Sequence, residues 1–322
     1  MTRRPLPTVE EIFTFFSQDF FDKHSNWGRW GKDDQMGTLN YITPAKRLQA
    51  AKLIKDGETV SCARPVTWER GPDVIHQPMH FMHTSGERWV HAPKVEGQMQ
   101  GAADWFGMAV HGLHITHLDS LGHHFRYGKA FNGFSADKVN THEGATVMSV
   151  ELARKAIVTR GVLLDMPLLF GVKYLERGEP LYMEDLLAAE KSQGIKVEPG
   201  DALLVRTGAV KRLQEEGPAD EVKEGRAGLH GNTIPYLHER GVAVLCSDAA
   251  NDVIVPGHPM PFRLPIHHVG IAGMGLWLID NGNLEDVAEA CAARKRWEFS
   301  LTVAPLRLHN ATGSPVNPIA VF

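Results

Sequence analysis

The chain has 322 residues, of which 43% are hydrophobic and 22% are charged, a composition typical of a soluble globular protein with one large domain or two smaller ones. Lys and Arg number 34 against 38 Asp and Glu, and the net charge of -4 argues against nucleic acid or an anionic membrane as a partner. Three distant cysteines offer no disulfide framework, and the sequence shows no apolar leader and no membrane-length run, so we expect a cytoplasmic protein.

Capping signals predict four helices in chain order. The first begins at Thr8 with Glu11 three residues on, the pattern of a capping box, and the second begins at Thr43 with proline in its first turn. The last follows Asn283 and carries acidic residues early and basic residues late, which matches the helix dipole. The predicted helices cover residues 8–17, 44–56, 183–193 and 283–295.

Continuous apolar runs of four or five residues predict strands that are buried on both faces. These runs and a further segment near the C-terminus cover residues 161–165, 202–206, 242–246, 276–279 and 300–308. The Gly- and Pro-rich segments 63–110 and 208–232 are predicted to be long loops with a functional or oligomer-forming role. We therefore expect an N-terminal helical extension, residues 1–60, packed on a single α/β domain, residues 61–322.

Histidines are concentrated in one part of the chain. Nine of the 17 lie between His76 and His124, where an even spread would place two or three. Within this stretch His117 and Asp119 are two residues apart, so a strand would carry both side chains on one face, and His123 follows one turn later. Two imidazoles and a carboxylate that converge in this way suit Zn²⁺, or Mn²⁺ where the carboxylate share is larger. The competing interpretation is a His-rich surface loop.

A second cluster, far along the chain, offers further ligands. His267 and His268 precede an apolar run that ends in Asp280, and a carboxylate at the end of a buried strand is costly unless it is paired or bound to a metal. One of these histidines together with Asp280 would add a nitrogen and a carboxylate to the site. The competing interpretation gives Asp280 a role at the start of the last helix.

Several segments together resemble the cyclase family of metal-dependent hydrolases, which includes bacterial kynurenine formamidase and isatin hydrolase. The family hallmark is His-x-Gly-Thr-His-x-Asp-x-x-x-His, and residues 116–119 with His123 match its second half. Flanking segments that are also family-like cover residues 27–31, 33–44, 160–165, 200–208, 280–281 and 312–318. The chain is thus similar to the longer members of the family.

The resemblance implies a swivelling β/β/α fold with a mixed sheet, a homodimer or homotetramer, and one or two divalent ions, Mn²⁺ or Zn²⁺. It implies that His117 and Asp119 are metal ligands and that His123 is a base or an additional ligand. His267 and Asp280 match the distant histidine and acid that complete the family's site.

The remaining ligands depend on details of the resemblance. The pattern His-x-x-x-x-x-Gly-x-Gly of the longer members favours His267 over His268. The first hallmark histidine falls on Leu113, so His111 or His114 is expected to replace it, and we include His114 among the metal ligands. The distant acid is Asp where the formamidases carry Glu. These departures weigh against a two-metal site of the formamidase kind and against kynurenine formamidase activity.

Such a site implies hydrolysis of an amide, lactam or lactone bond in a small aromatic or cyclic substrate. Trp105, Phe106 and Phe81 are expected to form the apolar wall of the substrate pocket, with core packing as the alternative. Arg206, at the end of a predicted strand, is expected to bind a substrate carboxylate or to form a structural ion pair. The alternative functions are a metal-binding dehydratase or ring-forming cyclase, and a non-catalytic family member.

Overall fold

A computed structural model describes residues 5–256 and 264–322, so the first four residues of the expected N-terminal extension lie outside the described residues. The strands of these two ranges are β1 (Thr59–Ser61), β2 (Met79–Thr84), β3 (Ala103–Gly107), β4 (His117–Asp119), β5 (Val139–Asn140), β6 (Gly144–Ala145), β7 (Ile157–Asp165), β8 (Pro180–Leu181), β9 (Ala202–Arg206), β10 (Gly228–Leu229), β11 (Val244–Ser247), β12 (Trp277–Asp280), β13 (Glu298–Val303), β14 (Gly313–Pro315) and β15 (Ile319–Val321).

The α-helices of the same residues are α1 (Val9–Thr14), α2 (Gln18–His24), α3 (Pro44–Ala51), α4 (Glu87–Val90), α5 (Met166–Phe170), α6 (Met183–Gln193), α7 (Ala209–Glu216), α8 (Glu221–Glu224), α9 (Ile234–Arg240) and α10 (Glu285–Arg294). A π-helix covers Ile266–Met274, and short 3₁₀ turns cover Gly37–Tyr41, Phe131–Gly133, Ala136–Lys138, Val150–Ala153 and Gly231–Thr233. Within these described ranges no helix has both the length and the apolar character needed to cross a bilayer.

One mixed sheet of nine strands forms the centre of the molecule, in the order β1-β15-β13-β7-β9-β11-β12-β4-β14. Its middle strands β7, β9, β11 and β12 are parallel, and antiparallel strands extend it on both sides. Parallel strands are covered on both faces, which explains why they read in the sequence as unbroken apolar runs. The candidate site lies at the β12-β4-β14 edge of the sheet, where β4 pairs with an antiparallel neighbour on each side.

Helices cover the sheet and bury its apolar side chains. α3 packs across β7 and β13, α6 packs on β7, and α2 contacts the π-helix. The large side chains of Trp277, Phe131 and Phe299 are fully buried in the core between these elements. Burial of such side chains is the main favourable term in folding. The N-terminal helices therefore belong to the same hydrophobic core as the central sheet.

The elements predicted from apolar runs and caps are largely confirmed. The helix at 183–193 and the strand at 202–206 agree residue for residue with α6 and β9. The first predicted helix ends three residues early because Ser17 caps a new helix, its Oγ accepting a hydrogen bond from the Phe20 N–H at 3.2 Å. The last predicted strand ends at Val303, shortly before Pro305, which has no N–H for the ladder.

The prediction of two long loops is wrong, because both segments contain regular structure. Segment 208–232 contains α7, α8 and β10, and the carboxylate of Asp248 accepts hydrogen bonds from the N–H groups of Gly208 and Ala209 at 2.7 and 3.0 Å. That cap comes from the end of a distant strand, so the local sequence gives no sign of it. Segment 63–110 contains α4 and an antiparallel pair, β2 and β3, which we call the arm.

A buried ion-pair network joins α3 to the central sheet and gives a first prediction. Asp201 is fully buried and its oxygens lie 2.5 Å from Lys46 Nζ and 2.5 Å from Arg160 Nη2. Asp201→Asn should lower the free energy of unfolding by about 3 kcal/mol, because two buried cations lose their shared counter-charge. Urea unfolding measures this loss.

The matched control is Glu215→Gln, which removes an ion pair to Lys173, a residue whose side chain is 72% exposed. This change should cost less than about 1 kcal/mol. Equal losses for the two variants would contradict the role assigned to Asp201.

Candidate metal centre

Strand β4 places two predicted ligands on one face of the sheet. His117 and Asp119 flank Leu118, and all three side chains are buried. The neighbouring strand β12 pairs with β4 so that Asp280 lies directly opposite His117, which brings a second carboxylate to the same face. Strand register thus gathers His117, Asp119 and Asp280 as the sequence predicts.

His111, from the loop before β4, bends back onto Asp119. Its Nδ1 lies 2.8 Å from Asp119 Oδ1, and its Nε2 lies 3.0 Å from Thr312 Oγ1. The ring fits because position 313, opposite Asp119 on β14, is glycine. A Cβ on Gly313 would lie 2.8 Å from the His111 ring and 2.9 Å from the carbonyl oxygen of Leu118. The small residue on β14 is therefore a steric condition for this position of His111.

The loop that carries His111 is held by Asn281, the residue after Asp280. Asn281 has a left-handed backbone, with φ of 58°, and its side-chain amide donates to the carbonyl oxygens of Gly112 and Ile115 at 2.8 and 3.1 Å. The Asn281 carbonyl in turn accepts a hydrogen bond from Thr116 Oγ1 at 2.6 Å. One residue thus fixes both ends of the segment that precedes β4.

His267 reaches the same point from the π-helix. Its Nε2 lies 3.2 Å from Asp280 Oδ2 and 3.6 Å from Asp119 Oδ2. Its Nδ1 lies 2.6 Å from Asp252 Oδ2, a carboxylate that only accepts hydrogen bonds when ionised. π-helical turns widen the helix and are frequent at functional sites. The Asp252 contact fixes a proton on Nδ1 and directs Nε2 towards the two other carboxylates.

His117 is oriented in the same manner. Its Nδ1 lies 2.8 Å from the carbonyl oxygen of Ile115, which can only accept, so Nδ1 carries the proton. Its Nε2 faces Asp119 Oδ1 at 3.4 Å. Two buried imidazoles therefore direct Nε2 at the shared carboxylate of Asp119, the position from which metal-binding histidines coordinate once Nε2 has lost its proton.

The cluster is rich in uncompensated negative charge. Asp119, Asp252 and Asp280 are each at most 3% exposed, and among residues 5–256 and 264–322 none of them pairs with Lys or Arg. Buried carboxylates need a cationic partner to offset the cost of desolvation. The available partners are imidazoles, so the site favours a positive charge, carried by a proton or by a metal ion.

The pKa values of the buried Asp and His side chains reflect this concentration of negative charge. Burial alone would raise the pKa of Asp119, but His123 and His117 beside it hold that pKa well below its usual range. Burial alone would lower the pKa of His117, but Asp119 and Asp280 raise it to about 9. Despite burial, Asp280 and its neighbouring carboxylates also raise the pKa of His267 well above its ordinary value.

The donor atoms fit a divalent cation. They form two groups, His111 with His117 and Asp119, and Asp119 with His267 and Asp280, in each of which the ligand atoms lie within 4.8 Å of one another. Both oxygens of Asp119 and the Nδ1 of His111 are buried without hydrogen-bond geometry, although two of these atoms are 2.8 Å apart. Buried polar atoms that lack a hydrogen bond need another partner, and a bound cation can supply it. Imidazole and carboxylate donors suit Zn²⁺ and Mn²⁺.

Two further histidines border this cluster. The His123 ring stacks on His111 with centroids 3.6 Å apart, and its Nε2 lies 4.0 Å from Asp119 Oδ2. Burial lowers the pKa of His123 to about 4, so its imidazole is unprotonated at neutral pH. The His124 ring lies 5.3 Å from His267, and burial lowers its pKa to about 2. His123, expected as a base or an additional ligand, stands beside the two ligand groups and belongs to neither of them within the described residues.

Three predicted or alternative site residues lie apart from the ligand groups. His114 belongs to neither group in the described part of the chain, and both of its ring nitrogens are buried without a hydrogen bond, whereas His111 lies against Asp119. His268 accepts a hydrogen bond from Arg126 Nη1 at 3.2 Å. Arg206 pairs with carboxylates of α10 and β7 at 2.6 and 2.9 Å, which is the structural ion pair of the two expected roles.

The predicted aromatic wall lies on the arm. Phe81 and Trp105 stack with centroids 4.7 Å apart, and the side chains of Phe81, Trp105 and Phe106 are 52%, 43% and 58% exposed. The alternative of core packing is therefore wrong. Phe106 and Thr116, the neighbour of His117, both line an open cavity of about 640 Å³.

Several site residues were not found from the sequence. Asp252 orients His267, Thr312 contacts His111, and Asn281 holds the loop before β4. The only local signal for Asp252 is its place in a polar segment shortly after a buried strand. Asn281 and Thr312 lie in the family-like segments 280–281 and 312–318, but no role was predicted for either residue. His124 lay inside the dense histidine window but matched no ligand spacing.

The mixed sheet and the buried cluster of His and Asp at its β12-β4-β14 edge define an α/β protein with a candidate metal site. Comparisons with known proteins identify its family. Residues 38–251 match the family described as putative cyclase. A solved structure described as a novel cyclase is 32% identical, covers 92% of this chain and 99% of its own, and has a TM-score of 0.85. The chain therefore belongs to the cyclase family, and its fold is the one that the resemblance implies.

More distant solved structures share this fold. An isatin hydrolase bound to the product analogue thioisatinate is 19% identical over 86% of this chain and 95% of its own, with a TM-score of 0.53. Isatin hydrolase A from Labrenzia aggregata, bound to benzyl benzoate, is 17% identical over 86% of this chain and 98% of its own, with a TM-score of 0.55. No curated protein sequence matches the chain significantly.

The geometry of the two contested histidines gives a second prediction. His111→Ala should lower the affinity for Zn²⁺ or Mn²⁺ about 100-fold or more, because ligand loss costs at least as much as loss of a supporting residue. His114→Ala should leave the bound-metal stoichiometry unchanged. Equilibrium dialysis with elemental analysis measures both. Gly313→Ala should weaken binding in the same direction as His111→Ala, and the reverse ranking of the two histidines would refute the assignment.

Proposed function

We propose that this protein is a metal-dependent hydrolase that cleaves an amide, lactam or lactone bond of a small aromatic or cyclic substrate. The observation that carries the proposal is the pair of ligand groups that share the buried Asp119 carboxylate. Membership of the cyclase family and the fold shared with isatin hydrolases support the same chemistry. A panel of substrates tests which of these bonds is cleaved.

We propose Mn²⁺ or Zn²⁺ as the cofactor, held by His111, His117, Asp119, His267 and Asp280. The shared position of Asp119 is compatible with one ion or with two neighbouring ions. Such an ion, when bound, activates water for attack at neutral pH and polarises a carbonyl group. The imidazoles bind through nitrogens whose tautomer the Ile115 carbonyl and the Asp252 carboxylate fix.

His123 is the residue proposed to move protons. Its imidazole is buried and unprotonated at neutral pH, and it stands 4.0 Å from Asp119 at the border of the ligand groups. An unprotonated imidazole accepts a proton from water and returns it to the leaving nitrogen or oxygen. Phe106, on the wall of the cavity that it shares with Thr116, is proposed to contact the apolar part of the substrate, with Trp105 and Phe81 beside it on the arm.

The alternatives share this site. A non-catalytic role was open because the first hallmark histidine is replaced by Leu113. His111 supplies an imidazole to the cluster, so the number of donor side chains is restored. A dehydratase or ring-forming reaction is distinguished from hydrolysis by whether the product has lost or gained one water.

A third prediction tests the hydrolase. The protein supplied with Mn²⁺ or Zn²⁺ should convert at least one of a panel of aryl formamides, isatin-like lactams and lactones to a product heavier by one water, followed by liquid chromatography and mass spectrometry. His117→Ala should lose this activity, and chelation should lose it reversibly.

His309→Ala serves as the matched control, because the His309 side chain is 82% exposed and belongs to neither ligand group of the described residues. Activity that survives His117→Ala would show that the assigned ligands are wrong. A product that has lost water would favour the dehydratase.

We further propose a homodimer or homotetramer, with the arm as a contact element. The arm exposes Met79, Phe81, Met82, Trp105 and Phe106, each 43–58% accessible on a two-stranded sheet. Met79, Phe81 and Trp105 lie on one face of the arm, and an exposed patch of aromatic and methionine side chains is typical of protein interfaces. Burial of this surface against another copy would stabilise an arm that by itself has only two strands.

A fourth prediction addresses this assembly. Phe81→Ser combined with Trp105→Ser should shift the protein to a smaller species, measured by size-exclusion chromatography with light scattering. Leu48→Ser is the matched control, because Leu48 is 65% exposed on α3 and its substitution also removes apolar surface. This variant should leave the mass unchanged. An unchanged mass for the arm variant would remove the arm from the interface.

A further inference from the structure

A second polar cavity adjoins the segment that carries the metal ligands. It has a volume of about 310 Å³ and lies between the loop at residues 64–74, the segment before β4 and helix α7. Arg64, Asp73 and His114 supply its polar side chains near that segment, and Val210 and Leu213 supply apolar walls from α7. None of these residues belongs to either ligand group.

Arg64 is the central feature of this cavity. Its backbone N–H donates to Thr116 Oγ1 at 2.9 Å, which ties it to the residue before His117. One guanidinium nitrogen, Nη2, donates to the carbonyl oxygen of Asp248, and Nε is buried with no hydrogen-bond partner. Within residues 5–256 and 264–322 no carboxylate forms an ion pair with Arg64. Burial lowers the pKa of Arg64, which is the sign of a cation without full compensation.

The acidic groups around Arg64 are mostly bound elsewhere. The Asp248 carboxylate accepts four hydrogen bonds from residues 207–209, at 2.7 to 3.0 Å. Glu221 pairs with Arg226 at 2.8 Å. Asp73 is buried in the cavity wall, and among the described side chains it has no ion pair. Arg64 is therefore an incompletely paired guanidinium that faces a cavity, with one carboxylate, Asp73, near it.

We propose that this cavity binds a small organic monocarboxylate, with its carboxylate on Arg64 and its apolar body against Val210 and Leu213. The guanidinium fork matches a carboxylate in two parallel hydrogen bonds, a geometry that Lys does not offer. The volume accommodates a one-ring acid, and the apolar walls favour a ring over acetate. None of its lining residues belongs to either ligand group, although Arg64 also lines the neighbouring cavity of about 640 Å³ that contains Phe106 and Thr116.

The experiment is calorimetric titration of the full-length protein with benzoate, with benzamide as the neutral analogue of the same shape. Benzoate should bind and benzamide should bind at least about tenfold more weakly, the loss equivalent to one charge-assisted contact. Arg64→Gln should weaken benzoate about tenfold or more, and Asp73→Asn should strengthen it several-fold, because a repelling carboxylate is removed.

Arg70→Gln is the control for loss of one positive charge from the same cavity, since Arg70 is exposed and its Nε already donates to Gln77 at 2.7 Å. It should change the affinity less than about twofold. Arg64→Lys, which keeps the charge, should retain the fold and lie between the wild type and Arg64→Gln. Circular dichroism and thermal unfolding check that each variant is folded.

Each of the following outcomes either supports or overturns the proposed carboxylate site. Benzoate binding that persists in Arg64→Gln and disappears with chelator or in His117→Ala would place the carboxylate at the metal centre and overturn the inference. Equal binding of benzoate and benzamide would show an apolar pocket without anion recognition. Absence of benzoate binding by the wild type, or no gain in Asp73→Asn, would also overturn it. A benzoate affinity that is unchanged by chelator but lost in Arg64→Gln would support it.

Discussion

The structure depends on one carboxylate that is fully removed from water. Asp119 is the last residue of a three-residue strand that lies between two antiparallel neighbours, and no solvent reaches its oxygens. A buried carboxylate is tolerated only with cationic or hydrogen-bonding partners. Three separate parts of the chain supply imidazoles to it, from the preceding loop, from β4 itself and from the π-helix. The packing of this end of the molecule follows from the need to surround that charge.

The central sheet could be predicted because its parallel strands are buried on both faces and therefore read as apolar runs. The pair His117 and Asp119 could be predicted because period-two spacing alone decides which side chains share a face. Asp280 was a candidate because a carboxylate at the end of a buried run is costly, but the choice of His267 over His268 needed the family resemblance. Nothing in the neighbourhood of either residue shows that β12 pairs with β4. The spacing of residues in the sequence thus predicted the proposed ligands that lie on regular secondary structure.

The choice between His111 and His114 was beyond sequence reasoning. It is decided by the shape of an irregular loop, which Asn281 holds from another strand and which Gly313 leaves room for. The arm and helix α7 were missed for a related reason, because their stability comes from long-range pairing and from a distant cap at Asp248. Local propensity does not register such contacts.

The proposed ligands are separated along the chain by most of the length of the domain, from His111 to Asp280. They meet only after β4 has been inserted between β12 and β14, so the unfolded chain offers a cation no comparable cluster. Any ion with affinity for the assembled cluster therefore shifts the folding equilibrium by mass action. In a cell, the supply of that ion would act on the lifetime of the protein as well as on its chemistry, because chains that lack it open more often to proteases.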